Sequence, residues 1–270
     1  MIEHGSGRAA REQTAYDGMS VFGQSAKLHS RFSHVFQGPN SLAAEALFYS
    51  RLKEWSAGAD VLECGCYDGG LAEALHDSGA RTIIGVDVSP KAIEIARAKR
   101  GKLAEFQVMD AAALTFPDNS FDVVLGRAIL HHTDFERTLT GIYRVLRPEG
   151  HALFMEPLRG NPAAWLIRAL TPRARTPDEM PLSVKQIRIG DGLFGSGQHF
   201  FANLFSVPVG MVSSLVAKTP DNGMMRVADA VDRALARTAL RYWMRVVVLT
   251  WEKPHHGYTK TDPSVESTRT

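Results

Sequence analysis

Two spacings of apolar residues alternate along the middle of the chain. Runs of five or six mostly apolar residues at 60–64, 82–87, 105–109, 121–126 and 151–156 read as strands. Between them, 70–78, 90–100 and 134–146 carry apolar residues three and four apart, the spacing of one helical face. Ser89 before Pro90 predicts a capped helix start with proline at its first position, and Gly79 suits a helix end. The alternation predicts an α/β fold with a doubly wound, mostly parallel sheet.

The flanks are patterned differently. Asn40 is expected to cap a helix over 41–56, with Ala44, Phe48, Leu52 and Trp55 on one face. Residues 158–240 are less regular. Asn161 and Pro162 are expected to open a short helix through Leu170, which the prolines at 172 and 177 must break. Residues 190–205 are rich in glycine and phenylalanine. A helix near 223–237 sets Val227, Val231, Ala234 and Leu235 on one stripe, and a last strand is expected at 244–251. The organisation expected is an N-terminal helical lid (1–57), a ligand-binding core (58–157), a substrate cover with late sheet elements (158–243), the last strand (244–254) and a polar, disordered tail (255–270).

Composition narrows the class without naming a chemistry. With 270 residues, 44% of them hydrophobic and 22% charged, the chain suits one globular domain with a cover. A net charge of +2 gives no basic stripe for nucleic acid. No run of 18 apolar residues predicts a membrane span, and no apolar signal core opens the chain, so a cytoplasmic location is expected. Cys64 and Cys66 point to opposite faces of a strand end, which argues against a bridge, and no further ligands lie at metal spacing. Inert, buried thiols are expected.

The strongest chemical signal joins the first two strands. The apolar run at 61–64 carries Glu63 and leads into a turn with Gly65, Gly69 and Gly70, then a helical pattern from Leu71. Such a turn lets backbone approach a ligand closely, and the helix start offers free N–H groups. The second strand ends in Asp87, placed to accept hydrogen bonds from ribose hydroxyls. This order of parts points to a nucleoside cofactor. The glycine spacing is not the G-x-G-x-x-G of dinucleotide binders, which argues against a nicotinamide-dependent oxidoreductase.

With those residues in view, the chain resembles the class I S-adenosylmethionine-dependent methyltransferases. Glu63, Gly65, Cys66 and Gly69 resemble the family's first motif, and Val86–Pro90 its second. Residues 107–111 resemble the third motif; 121–125, 130–132 and 146–154 resemble its fourth and fifth strands. The resemblance covers about residues 58–157 and departs at Tyr67, where the family's turn usually has glycine. It implies a seven-stranded Rossmann-like sheet whose last strand runs antiparallel near the edge. It implies S-adenosyl-L-methionine as cofactor, with Glu63, Gly65, Gly69, Asp87, Asp110 and Ala111 around it and Tyr16 closing over it.

For the reaction, Glu156 at a strand end and His131 or His132 in the loop after the fourth strand are rival proton acceptors. Glu156 is slightly favoured, because a strand end holds a side chain rigidly. Arg127, Trp165, His199, Phe200 and Phe201 are expected along the substrate pocket, and Arg168, Arg173 and Arg175 as a cluster able to receive phosphate or carboxylate. The expected function is methyl transfer to a small, partly apolar molecule such as a secondary metabolite or lipid-like precursor. Two alternatives stay open: carbon methylation of a prenyl diphosphate through a carbocation, and a non-catalytic cofactor-binding subunit of a biosynthetic complex.

Overall fold

The computed structural model describes residues 7–17, 30–163, 165, 179–195 and 197–255; of 15–17 only the backbone is described. Seven strands form one sheet in the order β3-β2-β1-β4-β5-β7-β6. They are β1 (Asp60–Cys64), β2 (Thr82–Asp87), β3 (Glu105–Val108), β4 (Phe121–Arg127), β5 (Leu146–Pro157), β6 (Gly197–Ala202) and β7 (Val246–Glu252). β1 pairs parallel with β2 and β4, and β4 with β5, whereas β7 runs antiparallel to both β5 and β6. The expected boundaries of the first four strands hold to within a residue. β5 begins five residues early, at Leu146, where the pairing with β4 shifts register between Phe121 and Val123.

The central strands read as continuous apolar runs because both their faces are covered. On one face α3 (Pro39–Ser56) sets Ala44, Phe48 and Leu52 against Val61, Val123, Leu125 and Leu153. On the other, α6 (Phe135–Val145) and α7 (Val184–Phe194) pack Leu139, Ile142, Ile187 and Phe194 against Leu62, Val124, Phe154 and Leu249. α4 (Ala72–Asp77) adds Leu75 beside α3, and α5 (Pro90–Arg100) packs Ile93 and Ala96 with Cys66 and Phe106. Burying one such Leu, Ile or Phe stabilises by about 1.5–3 kcal/mol, so these stripes hold the layers together.

Several expectations change. Asn40 caps nothing: the helix starts one residue earlier at Pro39, and Asn40 lies buried inside it, donating to the Asp229 carbonyl at 3.2 Å. α3 belongs to the core rather than to a lid. Residues 7–17, within the N-terminal segment expected as a helical lid, form the helix α1 (Gly7–Asp17), followed by α2 (Ser33–Gln37). α7 went unread in the sequence, although Ser183 and Gln186 form a capping box at its start. The stretch 190–205 resolves into the end of α7 and the strand β6, and α8 (Ser206–Val216) and α9 (Gly223–Leu235) follow. The helix expected through Leu170 and the tail 256–270 lie largely outside the described residues. Cys64 and Cys66 are free and buried, and burial raises both thiols, Cys64 to about 12.

Candidate active site

The strand order reverses at β1, and there, beyond the C-terminal ends of β1, β2 and β4, lies a cavity of about 260 Å³. Its walls come from loops that need unusual backbone. Gly65 (φ +69°), Tyr67 (φ +47°) and Gly69 (φ +77°) all sit in the left-handed region. The turn therefore keeps a glycine-like conformation at Tyr67, where a side chain costs about 1–2 kcal/mol, and the Tyr67 residue lines the cavity. Asp87 holds the turn from below: its Oδ2 accepts the Tyr67 N–H at 2.9 Å and its Oδ1 the Ser89 N–H at 2.9 Å. Asp110 accepts the Ala112 N–H at 2.8 Å and so starts the short turn Ala111–Ala113 along the same wall. Val86, Val88, Met109, Ala111 and Ile129 supply the apolar surface between the two carboxylates.

Glu63 lies behind this wall rather than in it. It is buried, and its Oε2 has no hydrogen-bond partner. Burial, reinforced by the negative charges of Asp87 and Asp68 and opposed by Arg100, raises its carboxyl to about 8. Gly69 also stands off the cavity. A Cβ there would meet the Phe106 ring at 2.8 Å, so that glycine serves close packing as well as the turn.

The far end of the cavity is formed by Arg127, Ala128, Ile129, His132 and Thr133. Two carboxylate–histidine pairs meet there. Glu156, on β5, is fully buried: Oε1 accepts the N–H groups of Ile129 and Leu130 at 2.9 and 2.8 Å, and Oε2 meets His131 Nδ1 at 2.6 Å. Glu156 thus does not reach the cavity, and the expectation that it faces the crevice is corrected. Its lone pairs are spent on fixing the Leu130–His132 turn, and buried His131 is tied up with it. His132 does line the cavity, and its Nδ1 lies 3.1 Å from Oε2 of Glu12 on α1. The two imidazole rings are 4.1 Å apart. Arg8 adds a clamp, donating through Nε and Nη2 to the carbonyls of His132 and His131 at 2.9 Å each. α1 therefore lies over the cavity with Arg8, Ala9 and Glu12 in its wall. Sequence reasoning missed Arg8 and Glu12; their spacing of four on a polar helix was the available signal.

Arg127 ends β4 at the cavity rim, where Nη2 meets Glu45 at 3.0 Å and Nη1 donates to the Tyr49 hydroxyl at 3.1 Å. The other expected pocket residues are not gathered here. His199, Phe200 and Phe201 stand on β6, the far edge strand; His199 pairs with Asp191 at 2.8 Å and Phe201 is core. Trp165 is exposed and away from the cavity wall. The Tyr16 side chain and Arg168, Arg173 and Arg175 lie outside the described residues.

Residues 62–154 match a family profile described as a methyltransferase domain. Over these residues the core is similar to the class I S-adenosylmethionine-dependent methyltransferases. A probable S-adenosylmethionine-dependent methyltransferase of Mycolicibacterium smegmatis is 36% identical over 112 residues, 41% of this chain and 43% of that protein. A fatty-acid O-methyltransferase of the same organism is 39% identical over 103 residues, 37% of each chain. The chain thus matches less than half the length of these curated relatives. Among solved structures, a putative methyltransferase in complex with the Haloferax volcanii Trm112 activator superposes with a TM-score of 0.60 at 18% identity, over 89% of this chain and 98% of that one, a likeness of fold. The family's cofactor is S-adenosyl-L-methionine. The cavity fits it: two carboxylates line an apolar slot, and a buried carboxyl with an unpartnered Oε2 lies behind the glycine turn.

Proposed function

We propose that this protein transfers a methyl group from S-adenosylmethionine to a small, partly apolar molecule, with oxygen as the favoured acceptor atom. Its bound cofactor supplies an electrophilic methyl group on a sulfonium. Asp87, at the end of β2 in the cavity wall, binds the ribose hydroxyls, and Asp110 accepts from the adenine amino group against Ala111. Gly65 brings backbone to the methionine portion, and Glu63, buried behind the turn, orders that loop. His132 holds the acceptor's proton: it lines the cavity, and the Glu12 carboxylate 3.1 Å from its Nδ1 orients the ring. Arg127 orients the acceptor at the rim. Glu156 and His131 position the loop that carries His132.

The observation that carries this reading is the convergence of Asp87, Asp110 and His132 on one cavity. The name of the fatty-acid O-methyltransferase relative supports an apolar substrate and an oxygen acceptor. Carbon methylation through a carbocation would be helped by a carboxylate beside the substrate, and Glu156 does not supply one, because it is sealed under the turn. The non-catalytic reading drew on Tyr67 and loses its ground likewise, because the turn keeps its glycine-like backbone.

Titration calorimetry with S-adenosylhomocysteine, followed by single-turnover methyl transfer to a panel of fatty acids and phenols, tests the proposal. Asp87→Ala should weaken cofactor binding about 10–100-fold. His132→Asn should leave that affinity intact and slow transfer about 100-fold or more. Wild-type protein with no affinity for S-adenosylhomocysteine would refute the proposal.

A further inference from the structure

The α8–α9 hairpin exposes apolar residues that a water-exposed domain usually buries. In helices of such a domain, polar residues face solvent and apolar ones face the core. On α8 the buried side is Ser206, Val207, Gly210 and Ser213, whereas Pro208, Val212, Leu215 and Val216 are exposed. On α9 the buried side is Met225, Ala228, Asp229 and Asp232, whereas Met224, Val227 and Val231 are exposed. Leu215 and Val227 are each 65% exposed and Val216 69%. A groove between the helices continues this surface, running from Phe205 and Pro208 to Met224 and Ala228.

The arrangement is anchored. Asp232 accepts the N–H groups of Leu204, Phe205 and Ser206 at 2.6–3.1 Å and the Ser206 hydroxyl at 2.6 Å. Ser213 meets His34 Nδ1 at 2.9 Å and the Asn222 amide at 2.7 Å. These buried contacts fix which side of each helix faces out, so the apolar side cannot roll inward without breaking them.

The charges around the surface point to its occupant. Over residues 203–245 the exposed bases are Lys218, Arg226, Arg233, Arg237 and Arg241, against one exposed acid, Asp221, which pairs with Arg226 at 2.7 Å. The whole chain carries only +2, so exposed positive charge is concentrated in the segment that carries the apolar face, with Lys218 two residues beyond Val216. An apolar face edged with arginine and lysine suits the headgroup boundary of an anionic bilayer, where apolar side chains enter the acyl region and the bases meet lipid phosphates.

We propose that the outward face of the α8–α9 hairpin docks this protein on anionic lipid bilayers. α8 leaves directly from the end of β6 that lies on the same edge of the sheet as the cavity, so docking turns the cofactor edge towards the membrane. This goes beyond the methyl-transfer reading and does not depend on it.

Flotation of the full chain with vesicles tests the proposal. Wild type should float with vesicles containing phosphatidylglycerol, bind pure phosphatidylcholine far less, and release as salt rises. Leu215→Glu and Val227→Glu, at exposed positions, should each lower partitioning about tenfold or more. Lys218→Gln and Arg237→Gln should each lower it about fivefold. Unchanged melting temperature and S-adenosylhomocysteine affinity in these variants would separate docking from folding and from the cofactor site. Absence of wild-type flotation overturns the proposal, as does flotation indifferent to Leu215→Glu. A dimer in light scattering that Leu215→Glu splits, with no vesicle binding, overturns it in favour of a contact between copies.

Discussion

Replacing Glu63 with glutamine should change how stability depends on pH more than it changes stability at any one pH. Glu63 is buried with an unpartnered Oε2, and its carboxyl is raised from 4.5 to about 8. The folded protein therefore keeps this proton between about pH 4.5 and 8, whereas the unfolded chain loses it. Stability falls with rising pH wherever the folded state binds more protons, so the cost of Glu63 develops across that window and is complete above pH 8. With about 1.4 kcal/mol per pH unit, and smooth titration at both ends, wild type should lose about 4 kcal/mol relative to Glu63→Gln between pH 5 and pH 9. Glutamine mimics the protonated carboxyl and has no such slope. Urea melts of both proteins at pH 5, 7 and 9 measure it, and the other titrations cancel in the difference. If the gap is the same at all three pH values, Glu63 is ionised in the folded protein and the reasoning fails.

Two further outcomes follow from the geometry. Glu156→Ala should destabilise by about 3 kcal/mol in urea melts, because it strands the Ile129 and Leu130 N–H groups and His131; a loss of turnover at unchanged stability would instead make Glu156 part of the chemistry. Tyr67→Gly should be nearly neutral by the same measurement, since relief of the left-handed strain, about 1 kcal/mol, is offset by glycine's backbone entropy; a loss above 2 kcal/mol would mean the ring, not the turn, matters there.

Most of the sheet was legible because its signals are local. Strands buried on both faces are unbroken apolar runs, and Ser89 with Pro90 marks a helix start whatever surrounds it. The cavity wall was legible for the same reason: Gly65, Asp87 and Asp110 each sit at or just past a strand end that the runs define. What failed was depth and long-range pairing. Glu156 sits at a strand end as expected, but sequence gives no measure of the loop folded over it, and three short contacts turn it inward. Glu12 meets His132 across 120 residues, a distance that no periodicity spans. His199 and Phe201 drew attention as an aromatic cluster, yet β6 carries them to the far edge of the sheet. The stripe of Val227 and Val231 was visible as a stripe, but not that it faces outward.

The antiparallel strand β7 sets the order in which the sheet can be assembled. It lies between β5 and β6 in space but follows both in the chain. During synthesis β5 and β6 are therefore both made before the strand that joins them. Until Val246–Glu252 emerges, β5 presents a long open edge, and β6 has no described strand partner at all. The parallel half of the sheet, with the cofactor wall, is complete by Pro157 and can form on its own time, while closure of the other half waits on a late, distant pairing. A nascent chain halted before β7 would thus carry a formed nucleoside slot beside an unguarded apolar edge, the state in which chaperone capture or misassembly is most to be expected.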